Sequence, residues 1–149
     1  LPSGSNIGSQ TAFFTGTTEN TVTIPGTAGN VITVGAYNAR TRTYAPFSGR
    51  GPLDSSRIKP DLVAPGVDVI SCSPGGGYTA RTGTSMACPF VTGAAALWMQ
   101  WGMVEGNDPY LYGEKMRAFL TGNARPLSET GVYPNNREGW GEDVIIRLH

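Results

Sequence analysis

The sequence predicts an α/β chain: part of a parallel sheet with flanking helices, and not a complete doubly wound domain. Three observations carry this. Val31-Ile32-Thr33-Val34-Gly35-Ala36-Tyr37 is a continuous apolar run with β-branching, as in a strand buried on both faces of a parallel sheet. Ser85 to Trp101 is small and apolar almost throughout, too long for a strand and right for a buried helix. The chain is cut into short pieces by 21 glycines and 11 prolines, somewhat rich but below the low-complexity range.

The elements follow in order. Residues 1–20, rich in Ser, Thr, Gly and Asn around Ala12-Phe13-Phe14, read as a loop with one short strand at most. Thr21 to Pro25 reads as extended, because β-branched residues favour strands. After the Val31–Tyr37 strand, Asp61 to Ala64 is a second, stopped by Pro65-Gly66, and Val67 to Ser71 a third, stopped before Gly75 to Gly77. Pro89 is expected in the first turn of the buried helix, where a missing N–H costs little, and Gly102 closes it. A second helix is marked by Asp108 as N-cap, Pro109 at the first helical position and Gly122 past the end. Its apolar stripe is Tyr112, Met116, Phe119 and Leu120.

Composition excludes several functions. Eleven basic and eleven acidic residues give no net charge, which argues against nucleic acid or a polybasic membrane anchor. No apolar run approaches the roughly 18 residues of a membrane span. Leu1 to Ser5 carry neither a basic region nor Met, so we read an interior stretch of a longer chain. Two cysteines, Cys72 and Cys88, make no disulfide framework; two buried thiols are expected. With one histidine, His149, no zinc spacing exists, and no metal ligand is assigned.

The stretch that carries chemistry is Thr82-Gly83-Thr84-Ser85-Met86-Ala87-Cys88-Pro89. It sets a serine where a Gly-bearing loop enters a buried helix. Free backbone N–H groups and the positive helix end stabilise negative charge there. A nucleophile so placed has its own N–H as an oxyanion donor. A bare serine before a helix is otherwise an ordinary N-cap. The elbow G-x-S-x-G fails because Ala87 stands at the second Gly, and Gly75-Gly76-Gly77 lacks the Lys-Ser/Thr pair of a phosphate loop.

Gly83-Thr84-Ser85-Met86-Ala87-x-Pro89 resembles the nucleophile motif of the subtilisin-like serine peptidases, the subtilases. Four further segments resemble that family in order. They are Thr21 to Gly35 (the substrate pocket), Phe47 to Pro52 (an S-x-x-G-P turn), Ile58 to Gly66 (the strand before the active-site loop) and Val91 to Leu97 (the helix after the nucleophile). Trp98 to Leu120 and Gly139-Trp140-Gly141 look most like the clostridial spore-germination (Csp-type) branch.

The resemblance implies a partial subtilisin-like sheet, incomplete at its N-terminal side. Residues 1–20 would be a loop after an upstream strand, 21–141 the C-terminal part of the peptidase domain, and 142–149 a tail. It implies Ser85 as nucleophile and Asn6, in Ser5-Asn6-Ile7-Gly8, as a side-chain oxyanion donor. Thr23, Gly26, Gly83 and Thr84 match substrate-binding positions; Thr23 stands where some relatives have Gly, so the pocket is narrower or more polar. Ile24-Pro25 matches a peptide bond that is cis in the family. The family orders its triad Asp, His, Ser, so the Asp and His are expected upstream; Asp54, Asp61, Asp68, Asp108, Asp143 and His149 do not match them. No cofactor is required; a calcium site near Gly26 to Val31 is left open.

The expected function is therefore the C-terminal part of a subtilisin-like endopeptidase acting on peptides or proteins and inactive by itself. The alternative is part of a catalytically deficient pseudoprotease serving as a binding or sensor protein. The expected partner is the missing N-terminal part or a second copy. The setting implied is bacterial, extracellular or spore-associated.

Overall fold

The computed structural model describes residues 15–53, 57–128 and 131–142. Two parallel strands form its centre, β1 (Val34–Asn38) and β3 (Leu62–Pro65), in register Val34 to Leu62 and Ala36 to Ala64. The short β2 (Thr43–Tyr44) adds an antiparallel pair at Tyr37 and Asn38, giving the order β2-β1-β3. β3 is buried throughout. Its alternation divides the core: Leu62 and Ala64 join Ala87, Val91, Leu111, Met116 and Leu120, whereas Val63 meets Tyr37 and Leu127 on the opposite face.

α1 (Thr84–Met99) packs on both central strands through Ala87, Val91 and Ala94, whose small size lets the helix lie close to the sheet. It is followed by a π-helical turn at Gln100–Val104. A Cβ on Gly102 would lie 2.9 Å from the Asp108 carbonyl, so only glycine admits the returning chain. α2 (Gly113–Asn123) covers the same core with Met116 and Leu120.

A buried charge cluster ties these elements together. The Asp61 carboxylate, fully buried, accepts from Lys59 Nζ at 2.6 Å, from the Thr33 N–H at 2.7 Å and from Arg117 of α2 at 2.6 Å. Each partner of the anion is thus satisfied, as burial requires.

Several expectations are corrected. Thr21 to Pro25 is not a strand: the Thr21 and Val22 N–H groups both turn to the Arg50 carbonyl and Ile24–Gly26 form a turn. Val67–Ser71 is replaced by β4 (Val69–Cys72), which pairs antiparallel with β5 (Tyr78–Arg81) in a hairpin outside the parallel sheet. Gly75, Gly76 and Gly77 all take positive φ there, which suits them to the connecting loop. Asp108 does not cap α2. Its carboxylate accepts the Tyr110 N–H and the Lys115 ammonium, and its carbonyl the Leu111 N–H, so Pro109 opens a separate turn. That turn buries Leu111, and Gly113 at φ 56 then redirects the chain into the helix, which runs through Gly122. Tyr112 is half exposed instead of joining the stripe.

The two cysteines are exposed, not buried. Cys72 ends a hairpin strand with no covering layer, and Cys88 stands on a flank of α1 that lines an open cleft with Thr33 to Gly35. Away from Cys88, Phe90, Leu97, Met99, Trp101 and Met103 are all more than a third exposed. No helix among the described residues is long and apolar enough to cross a membrane.

Candidate active site

Ser85 stands in the first turn of α1, at its second position, because Gly83 and not Ser85 takes the N-cap. Gly83 adopts φ 155 and ψ 163, a region open essentially to glycine alone. Backbone bonds hold this turn to the sheet. The Gly83 N–H donates to the Gly66 carbonyl at 2.8 Å, and the Gly66 N–H donates to the Tyr37 carbonyl at 3.0 Å. A Cβ on Gly66 would come within 2.6 Å of the Ala36 Cβ and 3.0 Å of the Gly83 carbonyl. The carboxyl ends of β1 and β3 therefore fix where α1 begins, the end of a parallel sheet at which ligands bind in α/β folds.

The helix start leaves usable donors. The Met86 N–H is satisfied by the Gly83 carbonyl at 3.1 Å. The Thr84 and Ser85 N–H groups have no acceptor among the described residues. They lie at the positive end of a 16-residue helix, beside an exposed serine hydroxyl. Pro89 falls in the second turn, not the first, so the Ser85 carbonyl has no i+4 donor.

Ser85 borders two clefts. The larger, about 670 Å³, is lined by Thr21 to Gly26, Val31 to Gly35, Phe47, Gly49, Pro60, Thr84, Ser85 and Cys88. The smaller, about 480 Å³, is lined by the β4–β5 hairpin at Val69 to Cys72 and Arg81, and by Ser85, Met86, Pro89 and Phe90. Of the expected site residues, Thr23, Gly26, Thr84 and Ser85 meet in the larger cleft, and Gly83 positions the turn beneath it. Asn6, like Asp54, Asp143 and His149, lies outside the described residues.

The wall at Thr21–Gly26 has no regular secondary structure. One end is held by the turn at Ser48–Gly51, where Gly49 lets the Thr21 carbonyl come within 3.3 Å of where a Cβ would stand. Arg50 bonds Glu19 at 2.9 Å and lies over the Tyr44 ring. That guanidinium holds the Glu19 carboxyl below the usual carboxylate range, opposed by desolvation and aided by Asn136. The other end is held by Thr33, whose Oγ1 donates to the Gly26 carbonyl at 2.6 Å. The Ile24–Pro25 bond is cis, as are Lys59–Pro60 and Tyr133–Pro134. Among the described residues no three His, Cys, Asp or Glu side chains gather as a metal-ligand set.

Residues 3–141 match the model of the subtilase family, peptidase family S8. The chain belongs to the subtilases. It superposes on the CspB protease of Clostridium perfringens with a TM-score of 0.85 and 41% identity, over 89% of this chain and 28% of that one. The likeness supports the Csp-type branch. It is 37% identical to the minor extracellular protease Vpr of Bacillus subtilis over 68% of this chain and 13% of the relative. It is 38% identical to an intracellular serine protease of Paenibacillus polymyxa over 72% of this chain and 32% of the relative. The chain thus spans well under half the length of these subtilases.

Sequence reasoning overlooked Phe47, Gly49 and Cys88 as cleft residues. Cys88 had a usable signal, since three residues after Ser85 on a helix is the same face. The smaller cleft is walled by the hairpin, which the reading of Val67–Ser71 as one more strand after β3 obscured.

Proposed function

We propose that this chain is the C-terminal part of a subtilisin-like serine endopeptidase, with Ser85 as its nucleophile. The observation that carries this is the exposed Ser85 hydroxyl at the start of α1, beside two unpaired N–H groups and between two clefts. Ser85 Oγ adds to the carbonyl carbon of a peptide bond, while a histidine of the upstream segment takes the hydroxyl proton and an aspartate orients it. The oxyanion is met by the Ser85 N–H and by the Asn6 side-chain amide. Collapse of the adduct breaks the C–N bond, the histidine protonates the departing amine, and water later releases the acyl group.

Thr23, Gly26 and Thr84 then border the acyl-side residue of the substrate, and Gly83 keeps the turn narrow. The reading requires no metal: the Gly26 and Val31 carbonyls, where a cation would be sought, accept from Thr33 and from the Lys59 ammonium. The upstream segment is the partner, covering the apolar side of α1 at Phe90 and Leu97. We place the protein in an extracellular or spore-associated bacterial setting.

Fluorophosphonate labelling tests the reading. The 149-residue chain alone stays unlabelled, and the protein with its upstream segment labels at Ser85 and not in Ser85→Ala. Labelling of the isolated chain defeats the missing-triad reading. Absence of labelling and cleavage in the intact protein points instead to a binding or sensor role. Sedimentation distinguishes capture of the upstream segment from self-association.

A further inference from the structure

We infer that Thr33 is a positioning residue for the specificity wall of the larger cleft, itself oriented by the buried Lys59–Asp61–Arg117 cluster. The inference rests on the peptidase reading above and deepens it by assigning control of the acyl-side pocket to Thr33 and the buried charges behind it.

The wall from Thr23 to Gly26 has little to hold it. Thr23, Ile24 and Pro25 are exposed, and none belongs to a strand or helix. Its internal tie is the turn bond from the Ala28 N–H to the Pro25 carbonyl at 2.9 Å. The side-chain hydrogen bond joining this stretch to the sheet is Thr33 Oγ1 to the Gly26 carbonyl at 2.6 Å. A hydroxyl has one proton to give. Lys59 Nζ approaches the same oxygen at 3.1 Å and can only donate, so the hydroxyl proton is directed to Gly26.

Lys59 is in turn fixed. Its ammonium also donates to Asp61 at 2.6 Å and to the Val31 carbonyl at 2.7 Å, and Arg117 holds the other carboxylate oxygen. Charge-assisted bonds of this kind are short and directional, and a hydroxyl within such a chain is polarised toward its acceptor. Around Gly26 there is no slack: a Cβ would meet the Thr23 carbonyl at 3.1 Å and both Thr33 Cγ2 and Val22 Cγ1 at 3.2 Å. Moving the carbonyl therefore moves Thr23 and the cleft width. Ser85 is anchored separately, through Gly83 and Gly66, so the wall can shift without the nucleophile.

The test compares Thr33→Val, which keeps the shape and removes the hydroxyl, with Thr33→Ser, which keeps the hydroxyl, in the intact protease. Peptide substrates differing only in the size of the acyl-side residue are used. Thr33→Val lowers the kcat/KM preference between large and small apolar residues about 5- to 10-fold, the worth of one hydrogen bond. The change falls on KM for the large residue, and Thr33→Ser restores the preference. Leu120→Ala, destabilised elsewhere in the core, leaves the preference unchanged. Amide exchange on the same proteins must show faster exchange at residues 26–28 in Thr33→Val and not in Thr33→Ser, a readout that needs no activity. Unchanged preference and unchanged exchange in Thr33→Val overturn the inference. An inactive wild type defeats the peptidase reading instead, and exchange still decides whether Thr33 holds the wall.

Discussion

The turn before Ser85 and the wall from Thr21 to Gly26 border one cleft but are held differently. The turn is tied by main chain to main chain: Gly83 to Gly66, Gly66 to Tyr37, with no side chain between. The wall is tied to main chain only at its Thr21 and Val22 end, on the Arg50 carbonyl; its Gly26 end hangs on the Thr33 side chain. Main-chain bonds demand particular backbone angles and close approach, so they force glycine at fixed places. Side-chain bonds admit substitution, so the Thr33 end of the wall tolerates changes that the turn does not. In the proposed enzyme this separates reactivity, set by the turn, from selectivity, set by the wall.

Four measurements break or sharpen that contrast. Ser85→Ala removes the proposed nucleophile and leaves both clefts. It should cut peptidase activity of the intact protein roughly 10⁶-fold, the magnitude known for subtilisin, a member of this family. Binding of a peptide product should survive. Gly66→Ala attacks the turn from below, with 2.6 Å to the Ala36 Cβ. It should lower stability by about 1–3 kcal/mol in denaturant unfolding and reduce kcat for every substrate alike. A selective loss there would join the two regions the structure separates.

Thr23→Gly acts on the wall alone. It should raise kcat/KM for large acyl-side residues about 10-fold relative to small ones, since a few methylenes of room are worth that much. The smallest effect concerns Glu19. Its carboxyl is held below the usual range by Arg50, so the pair's contribution is complete above the unfolded value of about 4.3 and fades as pH falls through the lower folded value. Between pH 5 and 3 the wild type should lose slightly more thermal stability than Glu19→Gln. Equal loss would remove the pair from the list of wall supports.

The same contrast explains what could be read from the sequence. The parallel pair β1 and β3, buried on both faces, was visible as β-branched runs, and the helix after Ser85 as an apolar stretch too long for a strand. The turn was visible because Gly83 and Pro89 flank the serine. The wall was not: Thr21 to Pro25 looks like a strand until the Arg50 carbonyl, distant in sequence, claims its N–H groups. Local propensity carried no information about that partner. Burial of Cys88 was misjudged for a related reason, because apolar composition round a whole helix does not say which side a sheet will cover.

Ser85 lies on a crest between two clefts, with Thr84 and Cys88 falling to one side and Met86, Pro89 and Phe90 to the other. In the proposed enzyme, a peptide severed over that crest would be parted as rain is at a watershed. Its halves drain by separate exits, so the amine half leaves while the acyl half is still bound. Either product, rebinding later, recovers only its own slope and competes weakly with the unbroken chain.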